Sequence, residues 1–508
     1  MAIARMWRTV CSLLTLATGF AAPALAFDPA AELDAYVARA VEEWEVPGLA
    51  IAVVKDGEVV FARGYGVREL GRAGAVDEHT LFAIGSTTKA MTAATVALQV
   101  DAGRLGWDDR VEERLPWFRL ADPWTSRELT VRDLLTHRAG LGNADFLWYG
   151  SDRSRREILE KVALLEPAYS LRDGFVYQNI LYVAAGEVAA TAAEATWEEL
   201  LVGGILEPLG MERTVVSVAD TTSRANVASP HDRVDGTLRV IENPVFDSVA
   251  PAGTVWSSVH DMGLWLRMLL AEGEAGEGRI LATESVAELL RPQTLLDLSQ
   301  LYPGVPLLAP HWTSYALGWF QLDYQGRAVS FHTGSIDGMS ALAGLVPDEE
   351  LGVVVLANRD HAELRHALLW RTLDLWAGEA DGRDWSAELK ELYDGLAAEE
   401  DERRAERDAA RVAGTAPSLP LAAYAGTYAD PVYDEVEVEL REDGLGLRLG
   451  PTLSGALEHW HHDAFLMTFD RAWRGDALVT FTLGADARPA RLEVAGLAFE
   501  RREEPVEK

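Results

Sequence analysis

Ser86 and Lys89 stand one helical turn apart in FAIGSTTKAMTAATVALQV (82–100), where a hydroxyl and an amine could serve as nucleophile and base. The residues that follow, Ala90, Met91, Ala93, Ala94, Val96, Ala97, Leu98 and Val100, are apolar nearly all round. That pattern predicts a buried helix stopping at Gly103. A lysine inside such a helix needs a partner, because Lys is almost never buried alone, and i, i+3 spacing aims its amine at the Ser86 hydroxyl. Only five of the 46 basic residues are Lys (positions 55, 89, 161, 390 and 508). Arg stays charged at any working pH, whereas Lys can be brought toward neutrality and act as a base. By itself S-x-x-K is a weak motif, and an ordinary capped core helix also accounts for it.

Three further stretches carry residues of the right type. GFVYQNILYVAAGEV places Tyr177-Gln178-Asn179 at the head of an apolar helical run, and VSFHTGSIDGMSALAG places His332-Thr333-Gly334 at the end of a strand. TVRDLLTHRAGLG holds His137, tempting as a base but better read as scaffold. Taken singly, each is a capping turn, a strand end or a helix C-terminus. Rival chemistries find less support. The chain has no G-x-S-x-G, which excludes the nucleophile elbow of α/β-hydrolases. H-E-x-x-H is also absent. HWHHDA (459–464) spells most of a binuclear zinc motif, but Ala464 stands where its last His belongs, leaving His459 and His461 as two ligands at most. No metal and no cofactor are expected.

The elements that must position these residues form two units. LAIAVVKDGEVVFARGYG (49–66) reads as a hairpin turning through Asp56-Gly57. Helical patterns then run for roughly two hundred residues before strands return in YALGWFQLDYQGRAVSFHTG and GMSALAGLVPDEELGVVVLANR. A sheet assembled from both chain ends around a helical block is α+β organisation, an antiparallel sheet flanked by helices. The charged stretch 385–412 reads as a solvated connector helix with a thin stripe of Leu389, Leu392 and Leu396, breaking at GTAPSLP. Beyond Leu421 the period becomes two: Val436, Val438 and Leu440, then Leu445, Leu447 and Leu449, about an Asp443-Gly444 turn. This is a small antiparallel β domain, sheet or barrel. The expected divisions are 27–380, a linker 381–416, the β domain 417–502 and a tail 503–508. No catalytic motif lies past Gly414, so the β domain is expected to modulate access or assembly rather than chemistry.

The first 26 residues read as a secretory signal peptide: Arg5 and Arg8, an apolar stretch Val10 to Phe20, and Ala24-Leu25-Ala26 as the cleavage site. Cys11, the sole cysteine, lies within it, so the mature chain would hold no disulfide or thiolate site. Loss of Arg5 and Arg8 moves the formal charge from -34 to -36. So acidic a surface repels nucleic acid and anionic membranes, and no later apolar run is long enough to span a bilayer. A soluble, exported protein is expected.

The order S-x-x-K, Y-x-N, H-T-G resembles the serine β-lactamase and penicillin-binding superfamily, in its class C lactamase, D,D-carboxypeptidase, D-aminopeptidase and esterase branch. LLTHRAGL (134–141), LEPLGMERT (206–214), PAGTVWSSVHDM (251–262), ALGW (316–319) and VPDEELGVVVLAN (346–358) look the same, and the resemblance covers about residues 30 to 375. YAGTY (424–428) is similar to the lipocalin-like modules some exported members append. The resemblance implies a β-lactamase/transpeptidase-like fold and a covalent acyl-enzyme. Ser86 would be the nucleophile at a helix N-terminus, where the dipole favours negative charge. Lys89 or Tyr177 would take the first proton, with Tyr177 a phenolate shuttle beside an ammonium. Asn179 would bond the substrate amide and Lys89. The Ser86 and Ser335 N–H groups would form the oxyanion hole, with Thr333 and Gly334 on the substrate strand. Lactamases of the superfamily usually carry Lys-Thr-Gly where this chain has His332, which the resemblance places among the catalytic residues as an imidazole, mostly neutral above its pKa near 6.5, that could orient a carbonyl or amine. The implied activity is hydrolysis of an ester, D-amino-acid amide or peptide. The alternatives are a β-lactamase or D,D-carboxypeptidase, and a non-catalytic penicillin-binding-like sensor.

Overall fold

The computed structural model describes residues 27–243, 245–379 and 382–502. The expected signal peptide and the 503–508 tail lie outside the described residues. Val, Ile and Leu alternate with small residues along Gly48–Lys55, and the alternation sorts them to opposite faces of one sheet. Leu49, Ile51 and Val53 enter one core, Ala50, Ala52 and Val54 the other. Across that eight-stranded sheet the order is Glu58–Gly66, Gly48–Lys55, Leu351–Ala357, Met339–Val346, Arg327–Ile336, Phe320–Tyr324, Thr313–Tyr315 and Thr294–Leu295. Every neighbouring pair is antiparallel. The hairpin turn has φ of 52° at Asp56 and 78° at Gly57, the left-handed pair that a two-residue turn needs.

One face of the sheet is covered by the terminal helices Pro29–Glu43 and Leu364–Trp376 with the start of Trp385–Ala409. The other carries the helical block. Within that block the helix Thr88–Asp101 is buried at every position from Thr88 to Ala97 and packs on Asn179–Ala193, whose first turns are equally apolar. Its all-round hydrophobicity leaves Lys89 no route to water. The connector helix ends at Ala409 and is only partly solvated: Trp385 and Leu389 are buried, while the distal half is exposed.

Eight strands from Gly426–Asp430 to Leu497–Arg501 close into an antiparallel barrel, the first pairing with the last. Its interior is filled by Tyr424, Tyr428, Phe465, Met467, Phe481 and Phe499 with aliphatic neighbours, as small barrels require. The turn expected at Asp443-Gly444 sits one residue earlier. Gly444 already pairs with Arg441, so Glu442 and Asp443 make the loop, and Leu440 is exposed beside it.

The barrel is braced against the first domain. Asp337, in the turn after Arg327–Ile336, accepts from Tyr149 Oη at 2.9 Å, Trp473 Nε1 at 3.3 Å and Arg474 Nη2 at 3.4 Å. The Arg474 guanidinium lies 4.4 Å from the Tyr149 ring centre, and Arg153 bonds both the Tyr433 carbonyl and Asp434.

Candidate active site

A short 3₁₀ turn, Gly85–Thr87, presents Ser86 immediately before the helix that carries Lys89. Three acceptors surround the fully buried Lys89 amine: Ser86 Oγ at 2.9 Å, Asn179 Oδ1 at 2.7 Å and the Ala252 carbonyl at 2.9 Å. Two of them are amide oxygens, which can only accept. A neutral amine has two N–H groups for those oxygens, and its lone pair is then directed at the Ser86 hydroxyl. Burial brings the Lys89 pKa down to about 7, against an opposing pull from the Asp145 carboxylate. The amine is thus poised between ammonium and free base near neutrality.

The Asn179 amide is held in one sense by a residue that carried no sequence signal. Asp145 Oδ1 accepts from Asn179 Nδ2 at 3.0 Å and from Trp148 Nε1 at 2.7 Å. A carboxylate only accepts, so Asn179 must turn its oxygen toward Lys89. Asp145→Asn removes both the charge and this constraint. Turnover of a small ester is expected to fall about tenfold, and the acid limb of its pH profile to move to lower pH. The sign follows from Asp145 raising the Lys89 pKa: without that charge, burial acts unopposed. An unshifted limb in the folded variant would show Asp145 to be structural only.

Tyr177 lies beside this pair, but in another manner than expected. The Lys89 amine sits over the face of its ring, 4.7 Å from the centre. Tyr177 Oη is buried and makes no hydrogen bond. Burial pushes the phenol well above its ordinary pKa, outweighing the nearby Ser86 hydroxyl. Tyr177 is a phenol here, and the phenolate expectation is corrected: burial dominates, and the Lys89 amine lies against the ring's face rather than at the hydroxyl. An unpaired buried hydroxyl beside Ser86 remains available to a reacting group.

His332 is buried in the strand Arg327–Ile336, with Nε2 3.1 Å from Tyr315 Oη and Nδ1 2.7 Å from the Thr333 carbonyl. Burial, with Lys89 and Arg365 nearby, takes its pKa to about 3, so the imidazole is neutral throughout the working range. Both ring nitrogens are engaged within the protein. His137 packs 4.3 Å from Tyr177, ring centre to ring centre, and its Nδ1 accepts the Gln178 N–H at 3.0 Å. It positions the Tyr-Gln-Asn turn.

Gly334 brings the strand onto the nucleophile. A Cβ there would lie 2.0 Å from the Ile84 carbonyl oxygen and 3.0 Å from the Ser86 nitrogen. Gly85, at φ +50°, makes the reciprocal approach, its imaginary Cβ 2.8 Å from the Ser335 nitrogen. The two backbone N–H groups assigned to an oxyanion hole therefore belong to segments in direct contact. Gly334→Ala must force them apart, and ester turnover is expected to fall by about a hundredfold or more. Wild-type turnover in that variant would remove the Ser335 donor from the account.

Between these segments lies a pocket of about 60 Å³ lined by Gly85, Ser86, Asn179, Gly253 and Ser335 with an apolar wall of Trp148, Phe246, Val249 and Ile336. No lining side chain is charged. Neither His332 nor Thr333, which is half-buried on the same strand, is part of the lining. Trp148, Phe246 and Asp145 come from loops without motif, and only the structure brings them to Ser86. Among the described residues no cluster of His, Cys, Asp or Glu is placed to hold a metal ion. His461 Nδ1 accepts the Val412 N–H instead.

Comparison with known proteins bears on family and fold. An unguisins hydrolase of Aspergillus violaceofuscus is 28% identical over 441 residues, covering 80% of this chain and 75% of the relative. Protein flp of Staphylococcus aureus is 24% identical over 340 residues, 65% of this chain and 63% of the relative. The octameric penicillin-binding protein homologue from Pyrococcus abyssi shares the fold at a TM-score of 0.60 and 23% identity, over 93% of this chain and 98% of that one. Residues 410–508 match a domain of unknown function, DUF3471. Residues 33–375, the whole unit that holds Ser86, Lys89, Asn179 and the glycine strand, match the β-lactamase family model, and the chain belongs to that family.

Proposed function

We propose that this protein is an exported serine hydrolase that works through an acyl-enzyme on Ser86, with an ester, D-amino-acid amide or peptide as substrate. The observation that carries the reading is the buried Lys89 amine, 2.9 Å from Ser86 Oγ and brought to a pKa of about 7. Lys89 accepts the Ser86 proton as Oγ attacks the substrate carbonyl. The resulting oxyanion is received by the Ser86 and Ser335 N–H groups. As the carbonyl re-forms, the C–O or C–N bond to the leaving group breaks. The leaving group takes the proton from Lys89, directly or through the Tyr177 hydroxyl. Water then repeats the sequence and releases the acid. The relative named a hydrolase supports the reaction class, and the residues of 1–26 support export.

The choice of substrate rests on the pocket's uncharged lining. A β-lactam or a peptide's terminal carboxylate is ordinarily matched by a cation, and His332 is neutral and engaged elsewhere. Steady-state turnover of a p-nitrophenyl ester, a D-alanyl anilide and nitrocefin, each beside a Ser86→Ala control, tests this. Ester or anilide is expected to be the better substrate. Nitrocefin hydrolysis above about 10⁶ M⁻¹s⁻¹, with slower ester and anilide cleavage, would overturn the preference. A label retained on Ser86 without turnover of any substrate would mark a sensor.

A further inference from the structure

One peptide unit of the substrate strand is addressed from behind by a buried arginine. Arg365, in the first turn of the helix Leu364–Trp376, is 5% exposed. Its Nη1 donates to the Gly334 carbonyl oxygen at 2.5 Å and to Ser335 Oγ at 2.8 Å. Its Nη2 faces the buried Glu363 carboxylate at 3.2 and 3.3 Å. The Gly334 carbonyl and the Ser335 N–H are the two ends of a single planar amide, so what binds one end acts on the other.

A guanidinium on the carbonyl oxygen draws electron density from the amide nitrogen and makes its N–H a stronger donor. It also fixes the plane of the peptide, and the Ser335 nitrogen lies on the side approached by Gly85. A buried ion pair such as Arg365–Glu363 is a poor device for stability, since apolar residues of similar volume commonly serve as well. Its placement against this one peptide is what distinguishes it.

We propose that Arg365 is a positioning residue for acyl transfer: by bonding the Gly334 carbonyl and the Ser335 hydroxyl, it orients and polarises the peptide whose N–H receives the oxyanion. The inference rests on the hydrolase reading above, and its test can be read separately from activity. The chain contains three Gly–Ser pairs, Gly85–Ser86, Gly150–Ser151 and Gly334–Ser335. Cell-free synthesis with carbonyl-¹³C glycine and ¹⁵N serine therefore gives three correlated amide signals, two of them from the oxyanion donors.

In Arg365→Met the Ser335 amide proton and the Gly334 carbonyl carbon are expected to move upfield, with Gly150–Ser151 unmoved as the control for folding. In the same variant kcat for p-nitrophenyl acetate falls about tenfold with KM little changed, less than the loss of a whole oxyanion donor. Arg365→Lys keeps a cation in the same place and recovers part of both effects. It also decides the matter if the Met variant does not fold. A Ser335 signal unmoved in the folded Met variant overturns the proposal. So does a moved signal with wild-type kcat, or a Lys variant with a wild-type signal and reduced kcat. A wild-type chain that neither hydrolyses an ester nor takes a label at Ser86 defeats the hydrolase reading, and the Ser335 shift then decides the Arg365 contact by itself.

Discussion

Ser86→Ala is expected to lower ester turnover by about four orders of magnitude or more, with the fold unchanged. Removal of a serine nucleophile from a hydrolase has effects of that size, and the other groups cannot compensate, because without Oγ no acyl-enzyme forms. Ser86 sits in a 3₁₀ turn with its side chain half-buried, so the loss of one hydroxyl removes a single hydrogen bond to Lys89. Stability should therefore shift by no more than about 1 kcal/mol, and a melting curve checks it. Turnover within tenfold of wild type, in protein free of contaminating esterase, would show that Ser86 is not the nucleophile.

Lys89→Arg should be nearly as damaging as Lys89→Ala. The amine occupies a closed site with three acceptors at 2.7 to 2.9 Å, and a guanidinium is both larger and permanently charged. It supplies donors but never a lone pair near neutrality. Retention of much of the activity by Arg would show that the lysine serves only as a fixed charge. In the wild-type enzyme kcat/KM should rise with pH to a plateau, with its midpoint near 7. The base is active only when unprotonated, and burial has brought Lys89 to that value. The neutral His332 contributes nothing to this limb, because its own titration lies near pH 3. His332→Gln should leave the midpoint in place.

What could be read before the structure was local. The i, i+3 spacing of Ser86 and Lys89 lies within one turn, and the apolar run after it dictates burial of the amine. Strand alternation and the Asp56-Gly57 turn likewise sit within a few residues of their consequences, and they carried the α+β architecture and the β domain. The protonation states were not legible, because they depend on which groups converge. Tyr177 is kept a phenol by burial, and His332 is engaged by Tyr315 across the sheet. Asp145 lies 34 residues before Asn179 in a loop without regular pattern. Arg365 shares the helix Leu364–Trp376 with Arg371 and Asp374, so its type marked nothing out, and its target lies 31 residues away on the strand. The bracing of the barrel through Asp337 also depends on tertiary contacts that no motif announces.

Covalent labelling tests the central claim most directly. The chain is incubated with a fluorophosphonate across pH 5 to 9, and the adduct is located by peptide mass spectrometry. The account predicts one adduct, on Ser86, absent in Ser86→Ala, with a labelling rate that rises with pH through a midpoint near 7. An adduct on another residue, or a Ser86 labelling rate that does not change across that range, would contradict it.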